Sequence, residues 1–231
     1  MATRPDTADL LARAALEINS HGDVPSTLES VVACLQACLP TPHHVGVSLV
    51  RRGEAVGSQA ASDALAAELD QMQHTLADGP CWEALREESV VHVDDLQHEQ
   101  RWCDYVPLAV ARGVRAQVAV RLAVEGRIWG AINVYSTAGT TIDPAVARFT
   151  GLFAAHAAVA VERSRREENL KAALQTRKLI GQAVGMAMER FQLDEEMAFR
   201  YLVRLSSNSN VKLRDIARDL VAEANDRPPS A

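Results

Sequence analysis

The sequence lacks the features of a membrane-spanning, disulfide-rich or secreted protein. Its 231 residues include only four cysteines, which is too few for a disulfide framework and favours a reducing compartment. No uninterrupted apolar run approaches the roughly 20 residues that cross a bilayer. The N-terminal segment carries Asp6 and Asp9, unlike a signal peptide. We therefore expect a cytoplasmic protein with no membrane contact.

Sequence features of an enzyme are also scarce. There is no Gly-x-x-x-x-Gly-Lys-Ser/Thr loop for phosphoryl transfer, and no set of nucleophile, base and orienting group stands out. Cys34 and Cys38, one helical turn apart and followed by His43 and His44, permit a metal site. Buried small hydrophobic side chains explain the two cysteines more simply. We predict a non-enzyme without metal or resident cofactor.

Charge is distributed unevenly along the chain. The net charge is −6, yet residues 166–231 hold 11 Lys and Arg against 10 Asp and Glu, whereas residues 1–165 hold 13 against 20. All three lysines, Lys171, Lys178 and Lys212, lie in the C-terminal part. A near-neutral segment attached to an acidic one is compatible with a polyanion partner but does not require one.

Hydrophobic periodicity predicts an α+β region at the N-terminal side. Two amphipathic helices are expected, one over Asp6–Ser20 and one from a capping-box motif at Ser26 to about Leu39. The first β-branched strand follows at Val45–Val50. Further strands are expected near Ala55–Gln59, Val90–Val93, Ala116–Val124 and Arg127–Tyr135, with a turn at Glu125–Gly126 between the last two.

The C-terminal side is predicted to be entirely helical. A helix begins at Asp143–Pro144, and no proline interrupts the pattern until about Phe191, so one very long helix is expected. Another helix starts at Asp194, a polar loop covers Ser206–Asn210, and a last helix covers Val211–Ala224.

The segment after Arg177 carries an unusual helical pattern. Gly181 and Gly185 lie one turn apart, and each costs about 1 kcal/mol relative to alanine in a helix. Such a cost is usually offset by close packing, so we expect these glycines, with Ala183 and Ala187, to let another helix approach. The apolar stripe is expected from Ile180, Val184 and Met188, and the opposing faces from Phe199, Leu202, Leu213, Ile216 and Leu220.

This pattern extends over a longer series of motifs. They are Arg177-x-x-Ile-Gly-Gln-Ala-x-Gly-x-x-Met, then Ala198-Phe-x-x-Leu, Ser206, and Asn210-x-Lys-Leu-Arg-x-x-Ala. In this order and spacing they resemble the ANTAR family of bacterial antitermination regulators. The resemblance implies a three-helix fold that binds paired RNA stem-loops in nascent transcripts and prevents terminator formation. Many members carry lysine where this sequence has Val184, which removes one potential phosphate contact.

Recognition of an RNA loop needs cations for phosphates and polar groups for splayed bases. We predict the cations to be Arg200, Arg204, Lys212 and Arg214, and the base contacts to be Gln182, Ser206 and Asn210. The competing interpretation is that Lys212 and Arg214 form surface pairs with Asp215 and Asp219, and that Asn210 is only an N-cap. Residues 212–218 also resemble a helix-turn-helix element, so a DNA-binding transcriptional regulator is the alternative function.

The N-terminal region carries three further motifs, Gly79-Pro-Cys-Trp-Glu-Ala-Leu, Val93-Asp-Asp-Leu and Ile128-Trp-Gly-Ala-Ile-Asn-Val, in which the strand glycine predicts close backbone packing. In this order they resemble a GAF domain, a sensor fold that precedes many signalling outputs. The family implies a central antiparallel sheet with helices on one face and a pocket on the other. An unidentified small-molecule ligand or a protein signal partner is therefore expected. The Asn-Lys-x-x-Phe-x-x-x-Asp-Glu pattern of cyclic-nucleotide-binding members is absent, so we do not propose cyclic GMP.

Together these elements give an α+β sensor domain over residues 6–163, a helical connector over 164–176, and an ANTAR domain over 170–225 that overlaps the connector. Leu170, Leu174, Arg177, Gly181, Val184 and Met188 follow a 4-3-4-3-4 spacing, which permits a short coiled-coil seam. We expect a homodimer that places two helical modules on two RNA loops, with the signal biasing the connector between two arrangements.

Overall fold

The computed structural model describes residues 7–20, 22–39, 41, 43–51 and 54–225, which divide into two compact units at residues 1–166 and 167–231. The strands are β1 (His44–Arg51), β2 (Glu54–Ala61), β3 (Val90–Val93), β4 (Ala116–Val124) and β5 (Arg127–Ser136). The helices are α1 (Thr7–Ile18), α2 (Val24–Cys38), α3 (Ala64–Leu76), α4 (Pro80–Arg86), α5 (Val106–Ala111), α6 (Pro144–Phe191), α7 (Glu195–Ser209) and α8 (Leu213–Asn225).

The first unit is built on an antiparallel sheet with the strand order β2-β1-β5-β4-β3. The predicted strands are confirmed, as is the hairpin turn, in which Glu125 and Gly126 both have positive φ (51° and 79°). The close packing expected at Gly130 is also confirmed, because an added Cβ would overlap the backbone oxygen of Ser48 on β1. The α+β class and the sheet therefore follow the sequence pattern.

Side chains on the two faces of the sheet enter different cores. Val45, Val47 and Ile132 point toward the core formed with α2 and α6, whereas their neighbours in the strands face the layer of α3, α4 and α5. The expectation of helices on only one face is therefore incomplete, because Leu69 of α3 and Ala109 of α5 are fully buried in the second core. The sheet is covered on both sides.

The predicted very long helix is confirmed as α6, which runs from Pro144 to Phe191 without a break. One 18-residue window of this helix, with mean hydropathy 1.3, is long and apolar enough to cross a membrane, but half of the window is buried. Phe153, Ala157 and Val161 pack in the core of the first unit. The apolar character of α6 is thus explained by its place against the sheet.

Two predicted boundaries are wrong. Helix α2 begins at Val24 rather than at Ser26, because Asp23 is the N-cap and its side chain accepts a hydrogen bond from the Ser26 backbone N–H at 2.9 Å. The polar stretch that begins at Ser206 is not a loop, because α7 continues through Ser209 and only then meets Asn210 in the left-handed conformation. Hydroxyl-to-backbone hydrogen bonds make the serines compatible with the helix end.

Candidate nucleic-acid interface

The second unit places its candidate residues around a small core of three helices. Ala183 and Ala187 of α6, Ala198 and Leu202 of α7, and Ala217 of α8 are buried by 96% or more. Because four of these five side chains are single methyl groups, the helix backbones approach closely and little apolar area is buried. Most of the larger side chains of this unit therefore lie at or near its surface.

The glycines do not make the expected contacts. A Cβ atom added to Gly181 or Gly185 would have no described atom within 4 Å, apart from the neighbouring residues and backbone of its own helix. No other described helix therefore lies directly against either glycine. The close approach instead occurs at Ala183 and Ala187. Val184 is only 7% exposed and belongs to the core cluster, whereas Gly181 and Gly185 line a surface cleft together with Glu195 and Glu196 of α7.

The turn between α7 and α8 brings three predicted residues together. Asn210 ends α7 with a left-handed φ of 53°, and the Ser206 hydroxyl donates a 2.6 Å hydrogen bond to the Val211 carbonyl. The Lys212 carbonyl accepts from the Asp215 N–H at 2.8 Å as α8 begins. Asn210 is therefore a C-cap and not an N-cap, and the Ser206 hydroxyl is already engaged in shaping the turn.

The four predicted cations differ in what they contact. Arg200 pairs with Glu196 at 2.7 Å on an exposed helix surface, a contact worth little in stability. Arg204 and Lys212 are exposed and form no ion pair with another residue in the described part of the chain. Both are therefore available to a polyanion.

Arg214 has a longer ion-pair contact than Arg200, whereas Arg204 and Lys212 have none among the described residues. Its Nε lies 3.6 Å from Asp215, whose carboxylate is closer to Arg218 at 3.0 Å. The competing interpretation of a surface pair with Asp215 is thus confirmed for Arg214 and finds no support among the described contacts of Lys212. Arg214 also lines a surface cleft together with Arg177 of α6, a cation that the sequence pattern had placed in the dimer seam.

Sequence reasoning misplaced or missed the aromatic side chains of this unit. Phe199, expected in the core, is 44% exposed. Phe191 and Tyr201 are 44% and 37% exposed, and their ring centroids lie 4.9 Å apart. In the sequence, the hint of this exposure is that these aromatic residues are close to arginines along the chain, which has only 4% aromatic residues. Gln182 is exposed on α6, as its predicted role requires.

A second candidate site is a buried polar cluster on the α3–α5 side of the sheet in the first unit. Asp70, only 1% exposed, accepts hydrogen bonds from Asn133 Nδ2 at 2.8 Å and from the Tyr135 hydroxyl at 2.5 Å. The same hydroxyl accepts from Gln73 Nε2 at 2.9 Å, and the Tyr105 hydroxyl donates to Gln117 at 2.7 Å. Burial, and then the Asp70 charge, raise the pKa of both tyrosines well above the ordinary value.

Cys81 borders this cluster and is 4% exposed. Burial, and then the Asp70 charge, raise the pKa of its thiol to about 12. A thiol with so high a pKa stays protonated at neutral pH and is a poor nucleophile or metal ligand. The cluster is therefore equipped for hydrogen bonding and not for thiolate chemistry.

The two units match two protein families of regulatory proteins. The GAF-domain family matches residues 3–162, and the ANTAR-domain family matches residues 168–221. The chain belongs to the GAF family and has the architecture of GAF–ANTAR regulators. The ANTAR domain implies an RNA-binding antitermination regulator. No curated protein matches the chain.

Solved structures similar to this chain share the fold of the first unit. The GAF domain of a phosphoenolpyruvate-protein phosphotransferase from Coxiella burnetii is 15% identical, with a TM-score of 0.57 over 71% of this chain and 96% of that one. A free methionine-R-sulfoxide reductase from Neisseria meningitidis is 19% identical, with a TM-score of 0.53 over 69% and 90%. At these identities the likeness concerns the fold alone, and the neighbours include an enzyme.

Proposed function

We propose that this protein is a signal-responsive antiterminator that binds paired RNA stem-loops through its second unit. The observation that carries the proposal is that two cations of the ANTAR-matched helices are exposed, Arg204 on α7 and Lys212 just before α8, and that neither has an ion-pair partner among the described residues. Phosphates of an RNA loop would contact these cations, and Asn210 and Gln182 would reach base edges. Arg200 and Arg214 would join after exchanging their weak carboxylate contacts for phosphate.

A pair of stem-loops is best matched by two copies of the chain. Leu170 and Leu174 on α6 are 62% and 59% exposed, and Gly181, a later member of the same 4-3-4-3-4 spacing, is open, whereas Val184 of that spacing is buried in the three-helix core. The two leucines are apolar surfaces that a second copy of the helix would cover. We propose a homodimer formed along the exposed part of this stripe, from Leu170 to Gly181, so that each copy holds one loop.

The first unit would supply the signal without catalysis. Its buried cluster around Asp70 and Asn133 offers hydrogen-bonding groups for a small molecule, and a protein partner is the other candidate for the input. Cys81, with its pKa raised to about 12, gives this cluster no activated nucleophile. We therefore propose a non-enzymatic cytoplasmic sensor with no resident cofactor, whose input shifts α6 between two arrangements.

The decisive experiment compares RNA with DNA. The full chain is titrated with an RNA that carries two hairpins and with duplex DNA of the same length, over a range of salt concentrations. We expect tighter RNA binding, and Lys212→Gln should weaken it and reduce the salt-dependence slope by about 0.7–0.9, the value for one lost phosphate contact. Lys178→Gln, an exposed lysine of the same unit, is the matched control.

The outcomes separate the alternatives. Equal or tighter binding to the duplex DNA would support the helix-turn-helix alternative instead. An unchanged affinity and slope for Lys212→Gln would remove this residue from the interface. A strict monomer in sedimentation, both free and with the two-hairpin RNA, would exclude the proposed dimer.

A further inference from the structure

A cleft in the second unit has no role in the interface described so far. It lies between the end of α6, the middle of α7 and the end of α8, and has a volume of about 600 Å³, within the usual range of small-ligand pockets. Ala183, Ala187 and Leu205 form its apolar floor. Phe191 and Tyr201 form an aromatic wall, and charged side chains lie at its edge.

The aromatic wall is exposed to solvent, with Phe191 44% and Tyr201 37% exposed. Phe191 and Tyr201 contact each other at 4.9 Å with their rings tilted by 52°, and the Arg190 guanidinium lies 5.6 Å from the Phe191 ring centroid. Arg204 follows Tyr201 by three residues and so lies on the same side of α7. Exposed aromatic rings flanked by cations form the arrangement on which unpaired nucleic-acid bases stack while arginines hold the adjacent phosphates.

The other residues that line the cleft restrict the chemistry of the ligand that it could bind. Glu189 and Glu223 line the same cleft, and carboxylates accept hydrogen bonds from the exocyclic amino groups of bases. Their charge would repel a phosphate inside the cleft, so the base edge must enter and the backbone must stay near Arg190 and Arg204. Adenine, cytosine and guanine carry such an amino group, whereas uracil does not.

From these contacts we propose that the cleft binds one unpaired, amino-bearing base of the RNA loop, stacked on Tyr201 and Phe191. The proposal rests on the RNA-binding function proposed above and adds a base-selective site to its phosphate contacts. A protein helix is the other class of occupant for such a cleft. The cation-flanked rings and the acceptor carboxylates favour the base.

The test uses the full chain and a pool of RNA hairpins with one constant stem and a randomised loop, sequenced after binding. The best-bound hairpin is then remade with an abasic site or a uracil at each loop position in turn. We expect one position at which the base is required and uracil is disfavoured. Tyr201→Leu should weaken binding of the intact hairpin by roughly 5- to 100-fold, the usual effect of losing one base stack.

Combining the substitution of Tyr201 with removal of the RNA base isolates the stacking contact. Tyr201→Leu should add no further loss to the hairpin with the abasic site, whereas Tyr201→Trp should keep full affinity. Val203→Ala, a 38% exposed position on the same helix that does not line the cleft, is the matched control and should bind both RNAs like the unchanged protein. Circular dichroism confirms that each variant folds.

Each other result has a distinct meaning. Equal, additive losses from Tyr201→Leu on the intact and abasic hairpins would overturn the base site while leaving RNA binding intact. Normal RNA affinity together with lost self-association in sedimentation would show that the cleft is a protein interface, which also overturns the proposal. Failure of the unchanged protein to bind any hairpin in the pool would instead reject the RNA-binding function itself.

Discussion

The two units use their large side chains in opposite ways. The first unit buries Tyr105, Tyr135 and Phe153 completely, and the tyrosine hydroxyls find partners inside the core. The second unit has a core of mostly alanines and leaves Phe191 and Tyr201 at its surface. A buried polar group must be hydrogen-bonded inside the core, which the tyrosine hydroxyls of the first unit achieve, whereas rings and cations at the surface, as in the second unit, can contact the bases and phosphates of the RNA proposed above.

The largest expected effect concerns the small core of the second unit. Leu202 is fully buried there and is its largest fully buried side chain among the described residues, so Leu202→Ala should cost about 2–5 kcal/mol. Because that core has little else to offset the loss, amide hydrogen exchange should show the second unit opening while the sheet of the first unit stays protected. Val203→Ala, at an exposed position, should cause no loss of stability. Equal loss of protection in both units would contradict their independence.

Glycine-to-alanine substitutions are expected to change the stability of the two units in opposite directions. Gly130→Ala places a Cβ against the Ser48 backbone and should destabilise the first unit by about 1–3 kcal/mol. Gly181→Ala meets open space in a helix and should stabilise the second unit by about 1 kcal/mol. Thermal unfolding at low protein concentration measures both effects. At high protein concentration the proposed dimer forms. If the gain in stability of Gly181→Ala disappears there, a second copy of the chain packs against the glycine face.

The last comparison concerns two tyrosine hydroxyls. Tyr135→Phe removes a buried hydroxyl that donates to Asp70 and accepts from Gln73, and should cost about 1.5 kcal/mol in urea denaturation. Tyr201→Phe removes an exposed hydroxyl and should leave stability unchanged, since water replaces the protein there. If Tyr135→Phe also left stability unchanged, the buried cluster would not be a tightly coupled network.

Local patterns predicted much of this fold because their physical causes are local. The strands follow alternating β-branched residues, the hairpin follows from the glycine at its turn, and α6 follows from the absence of proline between Pro144 and Phe191. The site residues were harder to predict. The composition of the stretch from Ser206 to Asn210 suggests a loop, but hydroxyl-to-carbonyl hydrogen bonds at Ser206 and Ser209 accommodate it as a helix end.

The sequence by itself determined the division into a GAF domain and an ANTAR domain, because motif order and periodicity are properties of the chain alone. Only the tertiary structure decided which side chains of these domains face solvent. Burial depends on residues distant in sequence: Val184 is covered in the three-helix core, whereas Gly181, Phe199 and Tyr201 are left open. The proposed base site exists because of that placement.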